Sequence, residues 1–367
     1  MLRDEADILP VWLRHIGALC DKIFVVDHLS NDGSSEILHC FSEAGLPIRS
    51  WRMDEPGYWQ SAVTTELARW AFQSGAEWVL PFDVDEFLDI QSKEQLRATL
   101  DQHEEPLGFW RWRHAVPSED SLATGSLDWS SPQLLANPKP APANGGKVVL
   151  HRSVYQKLPG FRLGSGNHLL HGAPFAKAIR GSSLGTLWHL PVRSREQILR
   201  KLRRDLASHS NAQATALPEL GAAALLKAQL LERISESADD FEVLQRMGLG
   251  YGEMGMRCLD DPGLLTRAVR VSPRLVMAHP PSLPLNEQPP AQDKSSLTNQ
   301  KSTTHILAKA HLSDKVIEIL PEGAWARFLL GLENGLLKFF TPGLRLARFM
   351  ATRFVVWRLD MLAGNKD

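Results

Sequence analysis

A chain of 367 residues, 43% hydrophobic and 23% charged, can bury a large core, and its net charge of −1 lacks the basic excess expected of a nucleic-acid binder. Cys20, Cys40 and Cys258 fall in no close-spaced pattern, which excludes a cysteine zinc site and suits free thiols in a reducing cytosol. The start, Met1-Leu2-Arg3-Asp4-Glu5-Ala6-Asp7, is too acidic for a signal peptide, and no apolar run of roughly 18 residues offers a membrane span. A cytoplasmic protein is expected.

In chain order, Ile8, Trp12, Leu13, Ile16 and Leu19 recur at helical spacing, with Pro10 tolerated in a first turn. Lys22–Asp27 is a β-branched run ending in an acid. Ser34–Ala44 reads as a helix closed by Gly45, and Pro47–Trp51 as a short strand. Ser61–Ser74 is a second helix of this kind, with Gly75 after its end. Glu77–Phe82 predicts an apolar strand, Lys93–His103 a helix and Leu107–His114 a further strand. The Pro-, Ser- and Gly-rich stretch 117–146 reads as a long loop. Strand-like pieces follow at Lys147–His151, Phe175–Ile179 and Thr186–Leu190, then a basic helix at Ser194–Ser208 and a helical stretch over 215–256.

Apolar strands alternating with helices of about 10–15 residues predict an α/β fold, a Rossmann-like, mostly parallel sheet flanked by helices. Ligands of such sheets bind beyond the carboxyl ends of the strands, where Asp27 and Asp83 both fall.

Asp83 and Asp85 are two apart, so on an extended segment both carboxylates face one side. Such a pair can hold a hard divalent cation, Mn²⁺ or Mg²⁺, which neutralises phosphate oxygens. A lone Asp-x-Asp is common by chance, and its place after an apolar strand is what gives it meaning. In Val25–Ser34, Asp32 or Ser30 can simply cap the next helix, which explains the turn without any ligand. Asp27 is better explained as an acceptor for a base N–H or a ribose hydroxyl. His168 in a Gly-rich bend can reach a metal or a phosphate, and His189 ends a strand just before Pro191. For both, the plainer reading is a satisfied structural histidine. Among Arg193, Arg195, Lys201, Arg203 and Arg204, a basic run that also suits a solvated helix face, Arg193 lies nearest the motif. Glu86, Glu119 and Asp120 are the candidates for a general base, and Glu86 equally suits a partner that orients the metal acids.

RDEADILPVWLRH, KIFVVDHLSNDGS and AEWVLPFDVDEFLD, followed by Gly166-Asn167-His168 and His189-x-Pro-x-Arg193-Ser194 with Gln197 and Lys201, resemble successive blocks of the family 2 glycosyltransferases. The similar branch carries an Asp-x-Asp-Glu-Phe motif, and the likeness spans about 1–205. The resemblance implies a GT-A fold and metal-assisted, inverting transfer from a nucleotide-sugar donor, expected to be UDP-linked, to a glycan or other hydroxyl acceptor. It implies Arg3, Glu5, Asp27, Asp32, His189 and Arg193 as donor-binding positions, and Asp83, Asp85 and His168 as metal ligands. The family carries a strand before its Lys-Asn-Glu element, here Arg3-Asp4-Glu5, and this sequence starts after that point; the Asn-to-Asp difference adds an acid at Asp4. That departure supports an alternative expectation, a catalytically silent relative acting as a binding or scaffold protein.

The expected organisation is a GT-A-like domain over 1–210, a helical extension over 211–278, a linker over 279–305 and a helical tail over 306–367. Between Leu336 and Leu359 the tail carries Lys338, Arg345, Arg348, Arg353 and Arg358 with no acid, which suits peripheral contact with an anionic membrane. Its apolar residues go almost all the way round, which equally suits a helix packed in a core or interface.

Overall fold

The computed structural model describes residues 1–54, 59–125, 127–129, 132–141, 145–158, 160–171, 181–213, 218–236, 240–251 and 256–278. The expected strand at Phe175–Ile179, the linker and the tail lie outside the described residues. Helix α1 (Leu9–Leu19) opens the fold with Pro10 in its first turn and buries Leu9, Trp12, Leu13 and Ile16. It is followed by β1 (Ile23–His28), α2 (Ser34–Glu43), β2 (Ile48–Met53) and α3 (Gln60–Gln73). Gly45 and Gly75, at φ of 93° and 97°, supply the left-handed turns that end the two helices.

The chain continues as β3 (Trp78–Val79), β4 (Glu86–Leu88), α4 (Lys93–Asp101) and β5 (Leu107–Pro117). The stretch expected as a loop contains a short helix α5 (Glu119–Thr124) and strand β6 (Leu134–Ala136), both too short to register as periodic patterns. Then come β7 (Gly146–His151), α6 (Arg152–Lys157), β8 (Arg162–Leu163), β9 (Leu170–His171) and β10 (Ser182–His189). Helices α7 (Arg195–Gln213), α8 (Pro218–Glu236), α9 (Phe241–Leu249), α10 (Arg257–Asp260) and α11 (Gly263–Arg267) lead to β11 (Val269–Val271).

This is the expected α/β architecture. Its two longest ladders, β1 with β2 and β5 with β10, are parallel, while β3, β4, β6, β7 and β11 join by short antiparallel pairings. Strands β1 and β2 form a sheet of their own. A cavity of about 630 Å³, lined by Met1, Ile23, Phe24, Trp78 and Val79 among others, lies between β1 and β3. Beside β1, Leu2 makes one parallel bridge to Asp27. Its N–H donates to the Val26 carbonyl and its own carbonyl accepts from His28 N–H, both at 2.9 Å.

The segment after β11 folds back on α1, where His15 Nδ1 donates to the Val276 carbonyl at 3.0 Å and the ring lies 5.7 Å from that of Phe87. Burial pushes His15 down to about 4 from an ordinary 6.5. Below pH 6.5 the unfolded chain therefore takes up a proton that the folded chain refuses until about pH 4. Stability should fall as the pH drops through that window, by at most about 3 kcal/mol for this group. Urea melts at a series of pH values check this: His15→Gln should flatten the dependence between pH 4 and 6.5 relative to the native chain.

Among the described residues no helix is long and apolar enough to cross a membrane.

Candidate active site

Residues 83–86 form a turn rather than the extended segment expected from the sequence. Glu86 is the cause. Its carboxylate folds back to accept from Asp83 N–H at 2.8 Å, and its own N–H donates to the Asp83 carbonyl at 3.2 Å. The turn delivers Glu86 into β4, opposite His189 of β10, and Leu190 N–H donates to the Asp85 carbonyl at 2.9 Å. Asp83 and Asp85 consequently do not share partners. Asp83 takes Lys147 Nζ at 2.5 Å and Gln60 Nε2 at 3.1 Å. Asp85 takes Lys201 Nζ at 3.0 Å and stands 3.8 Å from His189 Nε2.

The parallel pairing of β5 with β10 puts His114 opposite His189, with Trp112 two residues earlier on the same face. The Trp112 ring stacks on His189 with centroids 4.5 Å apart, Tyr251 meets His189 edge-on at 5.5 Å, and the two histidine Nδ1 atoms are 3.0 Å apart. Trp112 Nε1 donates to Glu86 at 2.6 Å, so both Glu86 oxygens are engaged in a site with no exposure. Lys147, equally buried, also reaches Glu86 at 3.4 Å and the Gly166 carbonyl at 2.7 Å.

Burial shapes the charges here. It pushes Glu86 up to about 8 against the pull of Lys147, and it drives His189 well below its ordinary value, so that imidazole is neutral. Burial acts on Asp85 too, but the charges of Lys201 and Arg193 and the Lys201 hydrogen bond outweigh it and hold the carboxyl far below the usual range. For Lys147 the neighbouring Asp83 and Glu86 outweigh burial and keep the ammonium charged.

The residues expected to bind the donor meet at the ends of β1 and β10. Asp27, buried at the end of β1, accepts from Ser30 N–H at 3.2 Å and from the Ser35 hydroxyl, with Arg52 Nη1 at 4.0 Å. Asp32 accepts from Ser34 and, at 2.9 Å, from Ala6 N–H, so it pins residues 4–6 to the turn after β1 as well as serving the start of α2. Asp4 completes that link: its N–H donates to Ser30 Oγ and its carboxylate accepts from Asn31 N–H, both at 2.9 Å, in a left-handed backbone at φ 55°. Arg3 stands 3.7 Å from Asp4 and its carbonyl accepts from Arg204. Arg193 clamps the same segment, binding Glu5 at 2.5 Å and Asp7 through two nitrogens at 2.7 and 3.0 Å. Burial is the largest influence on both acids and raises Glu5; at Asp7 the charge and hydrogen bond of Arg193, together with the charge of Arg200, outweigh it and lower the carboxyl.

His168 borders the same tryptophan, Trp112. Its Nδ1 donates to the Gly146 carbonyl at 2.7 Å and its ring meets Trp112 edge-on at 4.8 Å. Glu119 and Asp120 are exposed in the first turn of α5, a position that suits carboxylates at a helix start. Among the described residues, ligand atoms of Asp85, Glu86 and His189 lie within 4.8 Å of one another. Two carboxylates and a neutral imidazole are the donor chemistry a divalent cation such as Mn²⁺ takes. Sequence reading missed Lys147, Gln60, Trp112, His114 and Tyr251. A lysine opening the apolar run Lys147–Leu150 was the one available signal.

No family model and no curated protein matches the sequence. Among solved structures, the mannosyltransferase PcManGT from Pyrobaculum calidifontis in complex with GDP-Man and Mn²⁺ is similar at 16% identity and a TM-score of 0.32, over 64% of this chain and 71% of that one. A likeness of that size assigns no residue and no ligand, so the reading of the site rests on its own geometry.

Proposed function

We propose that the protein is a glycosyltransferase that moves a sugar from a nucleotide-sugar donor to a hydroxyl acceptor. The observation that carries this reading is the gathering of ligand atoms of Asp85, Glu86 and His189 within 4.8 Å, with Lys147 and Lys201 beside the acid turn. Asp27 adds an acid at the carboxyl end of β1, where ligands of α/β sheets bind. Asp27, steadied by Ser30, Ser35 and Arg52, accepts from the nucleoside, and the Arg3–Asp7 segment held by Arg193 and Asp32 walls that side.

A divalent cation would be held by Asp85, with Asp83, Glu86 or His189 completing its ligands, and would supply positive charge against the departing diphosphate. Lys201 and Lys147 add fixed charge of the same sign. Glu86, buried and fully hydrogen-bonded, acts as a positioning group that sets the turn. Removal of the acceptor proton in an inverting transfer falls to an exposed acid, for which Glu119 and Asp120 are the candidates. One observation favours a second reading, a catalytically silent nucleotide-sugar binder: Asp83 and Asp85 are already paired with lysines.

The test is release of nucleoside diphosphate from a panel of UDP- and GDP-sugars with Mn²⁺ or Mg²⁺, beside equilibrium binding of the same donors. At least one donor should bind and turn over. Binding without turnover would favour the silent binder, and absence of both would overturn the donor site.

A further inference from the structure

The acids of the 83–86 turn are already provided with cations. Lys147 lies 2.5 Å from Asp83 and 3.4 Å from Glu86, and Lys201 lies 3.0 Å from Asp85. The Lys147 side chain is 1% exposed and reaches the site from β7, while Lys201 is 16% exposed, comes from α7 and has Tyr251 as a further neighbour at 5.4 Å. Three carboxyls face two ammonium groups, so most of the negative charge of the turn is already balanced by the protein itself.

A divalent cation placed there alone would leave uncompensated positive charge in a mostly buried site, which is unfavourable. It would also have to take Asp83 from Lys147 and Asp85 from Lys201. A diphosphate, with its two or more negative charges, removes that imbalance and gives the displaced ammonium groups new acceptors.

We propose that Lys147 and Lys201 are built-in counter-cations that keep a divalent metal out of the acid turn until a diphosphate arrives, so that metal and diphosphate enter together. The diphosphate half of this assignment rests on the proposed donor site. The metal half does not.

Free Mn²⁺ followed by its electron paramagnetic resonance signal tests it, using the full chain. With Mn²⁺ alone the native protein should leave the free-ion signal nearly unchanged. With UDP or GDP added, the signal should drop beyond the loss that the nucleotide itself causes. Lys147→Met and Lys201→Met should each bind Mn²⁺ alone at least tenfold more tightly than the native chain, with circular dichroism confirming the fold. Lys201, partly exposed, provides the safer variant if Lys147→Met does not fold. Tight Mn²⁺ binding by the native chain without diphosphate would overturn the proposal, as would an unchanged Mn²⁺ affinity in folded Lys201→Met. A gain in the variants with no nucleotide effect in any chain would keep the role of the lysines and count against the donor site.

Discussion

Asp85→Asn should cost about 3–5 kcal/mol of stability and remove donor binding together. The carboxyl is 5% exposed and its charge balances Lys201 while standing beside His189. An amide keeps the shape and loses the charge, so a mostly buried ammonium is left uncompensated, the situation in which breaking a buried ion pair costs about that much. The effect should depend on pH with a definite sign. Asp85 is held far below its ordinary carboxyl value by the charges around it, so its contribution is fully present above that ordinary value and fades as the pH falls below it. Urea unfolding at pH 7 and at pH 3.5 should therefore show a larger gap between native and variant chains at pH 7. On the functional side, a residue shared by every metal arrangement the turn allows should lower donor turnover by a factor of about 100 or more if a metal and diphosphate meet there.

The second large effect belongs to Arg193. Its guanidinium is 7% exposed and holds Glu5 and Asp7 at once, tying the start of the chain to the segment after β10. Arg193→Met keeps most of the side-chain volume and leaves two carboxylates without their counter-charge. The expected cost is again about 3–5 kcal/mol, read as a lower denaturation midpoint in urea. Arg193→Lys should recover only part of it, because an ammonium cannot reproduce the two-pronged grip on Asp7. Protection of residues 3–7 from hydrogen exchange should fall in the methionine variant even where the remainder of the chain stays folded. That local loss separates the clamp from a general loss of packing.

Much of the fold can be read directly from the sequence, and the reasons are local. Helices α1, α2 and α3 have clear apolar spacing, α2 and α3 have glycine stops, and β1 is a β-branched run closed by an acid, so short-range rules place all four within a residue or two. The failures come from long-range pairing. Glu77–Phe82 reads as a continuous strand, yet only Trp78–Val79 pairs, because β7 meets the chain there and residues beyond it line the cavity beside β1. The pieces α5 and β6 hide in a stretch whose composition says loop. β6 exists through its partners β5 and β11 rather than through its own pattern.

The candidate site divides in the same way. Asp27, Asp83 and Asp85 stand out because acids at the ends of apolar strands are conspicuous in a linear reading. What the turn does with them is not visible there, since it depends on the Glu86 side chain folding back onto Asp83 N–H. Lys147 is the clearest omission. Hydropathy places a lysine at the surface, and only the arrival of Asp83, Glu86 and the Gly166 carbonyl from two other parts of the chain makes its burial tolerable. The surroundings of the two histidines are likewise set by long-range pairing: the β4–β10 ladder brings His189 beside Asp85 and Glu86, and His168 donates to the Gly146 carbonyl.

The central claim is that Asp27 and the Asp83–Glu86 turn together hold a nucleoside diphosphate and its sugar. Hydrogen exchange of the full chain, with and without a bound UDP- or GDP-sugar and Mn²⁺, measures this most directly. Slowed exchange should concentrate in two stretches, residues 27–35 and 82–88, and should vanish in Asp85→Asn. Binding that protects neither stretch, or that protects them equally in the Asp85→Asn chain, would contradict it.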